Sequence, residues 1–195
     1  MRRRRTMRAG TAALAIALTI VLTLGGAARA EVQKFLNPCG GQKLCPSFAL
    51  VLTPPDGWTL DQQASARNKL QILVPNGTNF GNAPTLIYVQ VFYQRDKQQT
   101  LADFARVSNE RWLAANKNAK IAPLEPVARD NGKEGFLRFA FENPSRPQQA
   151  FEVGAFGIDG DKDGNAFVLD VVLTGAAKTA IDAAGKDYLA FLKAH

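Results

Sequence analysis

Leu86-Ile87-Tyr88-Val89-Gln90-Val91-Phe92-Tyr93 (LIYVQVFY) is the stretch that decides the architecture. β-Branched and aromatic residues run through it, and they suit a pleated, half-buried surface. It reads as a strand. On its N-terminal side lies a loop rich in Gly and Asn that ends at Pro84. Before that, Leu70-Gln71-Ile72-Leu73-Val74 reads as a second strand, stopped by Pro75-Asn76-Gly77. Residues 48–53 (FALVLT) form a short apolar run that ends at Pro54-Pro55-Asp56-Gly57, where proline fixes φ and glycine permits the turn. Trp58 and Leu60 continue with alternating polarity.

On the C-terminal side the period changes. Leu101, Phe104, Ala105, Ser108 and Trp112 fall at helical spacing within residues 100–115. Thr100 can cap that helix, and Asp103 three positions on makes a capping box with Asp in place of Glu. Asn116 and Asn118 are its terminators, and residues 121–126 read as a proline-marked connector. Residues 135–142, 150–158 and 166–174 read as strands, the last two joined into a hairpin by a glycine-aspartate turn. Residues 176–193 close the chain as a helix with Ala177, Ile181, Ala184, Tyr188 and Leu192 on one face. Strands joined by short turns imply an antiparallel sheet. Two amphipathic helices must bury their stripes against it, which makes an α+β layered domain. Periodicity alone leaves open whether they cover one face or both.

This order of elements resembles the PsbP-like domains. The Pro54-Pro55-Asp56-Gly57-Trp58 turn after the first strand, the helix start Thr100-Leu101-Ala102-Asp103-Phe104 and the strand Phe167-Val168-Leu169 carry the resemblance, which covers roughly residues 48–193. It implies an α/β/α sandwich, an antiparallel sheet of about six or seven strands with helices on both faces. It also implies a protein that works by binding proteins or assemblies rather than by catalysis. It brings no functional residues to this chain. Phe167 stands where such strands often present a tyrosine.

The N-terminus carries a different message. Arg2, Arg3, Arg4, Arg5 and Arg8 precede an apolar stretch over residues 11–24 and the small-residue pattern Ala28-Arg29-Ala30. That is the layout of a secretory signal peptide, with cleavage expected after Ala30 and a periplasmic or secreted destination. Six of the 24 basic residues and none of the 17 acidic ones lie in residues 1–30, so the remainder carries a net charge of about +1. A near-neutral globule has no electrostatic claim on nucleic acid. The apolar stretch is shorter than the roughly 20 residues a membrane span needs, so an uncleaved anchor is the second choice, and no later segment is long or apolar enough to span, so no stable insertion is expected after cleavage. Cys39 and Cys45 enclose five residues with two glycines, and in an oxidising compartment they read as a disulfide. The chain thus divides into residues 1–30 as signal peptide, 31–47 as a stapled segment and 48–195 as one domain.

The sharpest local motif is Asp159-Gly160-Asp161-Lys162-Asp163-Gly164-Asn165. Carboxylates at positions 1, 3 and 5 with glycine at 6 match the opening of a calcium loop, and the Asn165 carbonyl could supply position 7. Asp170 stands where that pattern wants a bidentate Glu, and both flanks read as strands rather than helices. A polar hairpin turn is the competing reading. No cofactor other than calcium is implied. Catalysis has little support: no nucleophile elbow, phosphate loop or zinc motif is present, the single histidine is His195, and Glu134, Glu142 and Glu152 lie on or beside strands. Trp58 at its turn and Phe80 in the Gly/Asn loop are candidate partner contacts, with core packing as the alternative. The expectation is an exported, non-catalytic protein that engages a protein partner. A cation or small-ligand binder centred on the acidic hairpin is the alternative, and an envelope hydrolase a weaker one.

Overall fold

β9 (Ala166–Gly175) organises the molecule. In the computed structural model, which describes residues 32–41, 43–96 and 98–195, β9 pairs antiparallel with β5 (Thr85–Tyr93) on one side and β8 (Phe151–Gly160) on the other. The expected signal peptide lies outside the described residues. β4 (Gln71–Pro75) and β3 (Trp58–Leu60) extend the sheet beyond β5, and β7 (Phe136–Glu142) and β6 (Lys120–Val127) extend it beyond β8. The result is a seven-stranded antiparallel sheet in the order β3-β4-β5-β9-β8-β7-β6. A separate hairpin, β1 (Val32–Pro38) and β2 (Leu44–Leu50), precedes it.

Alternation along β9 serves two faces. Phe167, Leu169, Val171 and Leu173 pack in one cluster with Ile181, Ala184, Tyr188, Phe191 and Leu192 of α3 (Lys178–Ala194). The buried Tyr188 hydroxyl donates to the Val171 carbonyl at 2.8 Å, which satisfies the one polar atom of that ring. Val168 points the other way and joins Phe156, Leu101 and Ala105 beneath α2 (Leu101–Ala115). Helices therefore cover both faces of an α+β fold. The cap of α2 has the expected form: Thr100 Oγ1 accepts from the Asp103 N–H at 3.1 Å, and the Asp103 carboxylate accepts from the Thr100 N–H.

Three elements differ from expectation. Residues 121–126 are not a connector but part of β6. Pro123 and Pro126 sit there because β6 is the outermost strand, where a missing N–H costs no ladder bond, and the register shifts between Leu124 and Val127. A third helix, α1 (Gln62–Asn68), lies between β3 and β4. Asp61 caps it by accepting from the Ala64 N–H at 2.9 Å, and Ala64 packs with Ile72 and Val74. The first strand also begins earlier than residue 48, because the cysteine loop is the turn of the β1–β2 hairpin. Among the described residues no helix is long and apolar enough to cross a membrane.

Candidate functional site

Pairing between β4 and β5 stops at Gln71, opposite Val89. Residues 90–93 of β5 therefore pair with β9 on one side and, among the described residues, with no strand on the other, where β2 packs close by without ladder bonds. A groove of about 600 Å³ opens along this edge. Its far wall is β2. The wall is held by Phe48, whose ring lies 4.8 Å from that of Phe167 and 6.0 Å from that of Tyr93. One end is closed by Gln71, whose side-chain amide binds both backbone groups of Leu50. Farther along β2 the groove is lined by the Cys39–Cys45 disulfide, which joins α-carbons 5.6 Å apart as the cysteine spacing led us to expect. Phe35 and Phe92, both on the lining, remain 46% and 40% exposed.

Among the described residues the lining holds no carboxylate, and its one charged residue is Lys69. Lys69 closes α1 in the left-handed region, with φ of 56° and ψ of 36°. Glycine is the residue that this cap position favours, since a Cβ there carries strain.

On the α2 side of the sheet a carboxyl group is buried. Asp170, in the middle of β9, stands between Gln90 of β5 and Phe156 of β8. Its residue is only partly covered, but Oδ1 is sealed from solvent and has no hydrogen-bond partner. Burial, helped by the nearby Glu152 carboxylate, pushes its pKa up to about 7. Burial also raises Glu152, which accepts from the Thr174 hydroxyl at 3.2 Å. Asp170 is the titratable group that sequence reasoning treated only as a weak calcium ligand. The lone acid inside Phe167-Val168-Leu169-Asp170-Val171-Val172 was the available signal.

A second buried network ties the end of α3 to the sheet. The Arg129 guanidinium is sealed, 4.1 Å above the Phe136 ring and 4.0 Å from Asp159 Oδ2, and it donates to the His195 backbone oxygen at 3.3 Å. Lys133 forms a close ion pair with Asp159 Oδ1. His195 Nε2 accepts from the Thr53 N–H at 3.2 Å, so Nδ1 carries the proton donated to the Phe191 carbonyl at 2.9 Å. Burial lowers its pKa and keeps the ring neutral.

This network places the acidic hairpin. Asp159 turns inward to Lys133 and Arg129. Asp161 instead accepts from the Asp163 and Asn165 N–H groups, both at 2.9 Å, and from the Asn165 side-chain amide at 2.8 Å. Those bonds depress its pKa and shape the turn. Asp163 is exposed. Among the described residues no three metal-ligating side chains gather. Trp58 is buried, and its indole N–H donates to Asp187 Oδ2 of α3 at 3.2 Å, so it anchors the core rather than a surface. Phe80 is 39% exposed on its loop, away from the groove lining.

No family model matches the chain, and no curated protein matches it.

Proposed function

We propose that this is an exported, non-catalytic binding protein of the cell envelope that engages a protein partner along the free edge of β5. The observation that carries the reading is the unpaired backbone of residues 90–93 facing a groove rimmed by exposed Phe35 and Phe92. An added strand would satisfy those backbone groups, and the aromatics would supply apolar contact, which is how β-strand addition divides affinity from specificity. The disulfide supports an oxidising compartment. The resemblance of the element order to PsbP-like domains points the same way, at the level of fold.

The test is a photo-crosslinking amino acid placed at Phe35 or Phe92, with Lys178 on the exposed start of α3 as control. Both groove positions should capture the same discrete protein in the envelope, and the control position should not. Equal labelling at all three positions would defeat the reading.

A further inference from the structure

We propose that a trough between α3 and the outer strands β7 and β6 binds a single-chain carboxylate amphiphile of the fatty-acid class, with its head on Arg138 and its chain beside Gly185. This trough is a separate surface from the groove beside β5, and the proposal does not rest on that groove.

Arg138 supplies the head site. Its neighbours Leu137 and Phe139 pack beneath α2, and it pairs with Ala155, which is buried under α3, so Arg138 stands on the α3 face of the sheet. There it lines a trough of about 670 Å³. Its Nε is sealed without a hydrogen-bond partner. Its terminal nitrogens are not sealed, and among the described residues no hydrogen bond or ion pair holds them. The other arginine packed against this core, Arg129, has Asp159 Oδ2 at 4.0 Å and the His195 backbone oxygen at 3.3 Å. A half-buried guanidinium with no internal anion suits an anion from outside, and a carboxylate matches its fork with two parallel bonds. Lys186 and Lys193 add positive charge along the α3 wall, while the lining's Asp182 binds Lys178 at 2.8 Å.

Gly185 supplies the room. It sits in the middle of α3 with ordinary helical backbone, and a Cβ there would meet nothing within 4 Å. Neither a turn nor close packing within the chain demands glycine, and in a helix interior glycine costs stability relative to alanine. Val153 and Leu173 of the sheet and Leu189 of α3 line the same trough and give it an apolar floor and wall. It follows α3 from Asp182 to Lys193, about 17 Å at the rise of a helix, a length that a hydrocarbon chain can follow.

An occupant with one polar end fits this surface better than a peptide does. β7, β8 and β9 are each paired on both sides, and the α3 backbone is bonded within the helix. That floor and wall have their backbone groups already matched. A peptide laid there would leave its own N–H and C=O groups without partners, whereas a hydrocarbon chain gains by burial.

The probe is cis-parinaric acid, a fluorescent fatty acid, titrated into the native disulfide-bonded protein at neutral pH, with its methyl ester as the uncharged control. The acid should bind at one saturable site, about tenfold more tightly than the ester, the worth of one charge-assisted pair. Arg138→Gln should erase that preference while the melting temperature holds, since no internal partner is lost. Gly185→Leu should block both probes by filling the trough. Gly185→Ala should raise the melting temperature through helix propensity and weaken both probes, and it serves if the larger side chain prevents folding. Equal binding of acid and ester, or an undiminished preference in Arg138→Gln, overturns the assignment of the head. Unchanged binding in a folded Gly185 variant overturns the location. No saturable binding of either probe ends the proposal, and none of these results bears on the crosslinks at Phe35 and Phe92.

Discussion

Gln71 and Leu50 are joined as two strand residues would be, although one of them uses its side chain. The Leu50 N–H donates to Gln71 Oε1 at 2.9 Å, and Gln71 Nε2 donates to the Leu50 carbonyl at 2.7 Å. A side-chain amide carries its carbonyl acceptor and one of its two N–H donors on the same edge, so it can bind both backbone groups of one residue and stand in for a missing ladder partner. This pair couples the β1–β2 hairpin to the main sheet at the point where the groove begins.

Removing the amide should loosen that coupling. Gln71→Ala leaves the Leu50 groups without their partners, and we expect a loss of about 1–3 kcal/mol in urea unfolding. Amide hydrogen exchange should accelerate in the hairpin more than in β9. An unchanged midpoint with unchanged exchange would mean that the pair holds nothing together.

Gly157 should tolerate no side chain. A Cβ built there would collide with Arg129 Nη2 and approach Phe136 Cε1 to 2.6 Å, both rigidly placed and buried. Gly157→Ala must displace the guanidinium from its ring and from Asp159, at a cost of about 2–4 kcal/mol. Thermal melting is the measurement, and a variant that melts with the wild type would show that the Arg129 network yields freely.

Asp170 sets a pH dependence with a definite sign. In the unfolded chain its carboxyl titrates near 4, and in the folded chain at about 7. Below about pH 4 both states hold the proton and nothing is lost. Between these values the unfolded state releases its proton while the folded state keeps it, so stability falls as pH rises and levels off above about pH 7. Asp170→Asn removes this group from the titration. Its unfolding free energy relative to wild type should therefore improve from acid to neutral pH, by an amount on the order of a few kcal/mol. Parallel stability curves for the two proteins would remove Asp170 as the cause.

The acidic hairpin should behave as a turn. Both carboxylate oxygens of Asp161 already accept donors from Asp163 and Asn165. Asp161→Ala should lower the melting temperature of the protein, and millimolar calcium should leave the wild-type melt where it is. A rise in the melting temperature with calcium would restore the cation reading for Asp159, Asp161, Asp163 and Asn165.

The parts of the fold that were legible are those with a strong period or a self-contained motif. Residues 86–93 and 166–174 announced themselves by β-branched density, and α2 by its stripe and its Thr100–Asp103 box. The β6 strand was hidden by Pro123 and Pro126, because proline argues against a strand until its place at an edge is known. The α1 helix has Ala64 as its one buried residue, too little to make a period. The groove could not be read at all. It is made where β4 stops short of residues 90–93 and β2 passes alongside, and neither fact is local in the chain. Lys69 gave no sign either, since a positive φ is a property of the folded cap.

The outer borders of the large sheet are blunt. β3 offers only three residues, and β6 is interrupted by two prolines and a slip in register. Neither is a good template for another copy of the chain. The molecule can thus keep an open stretch of backbone in a recess beside β5 without inviting the end-to-end growth that leads to fibres.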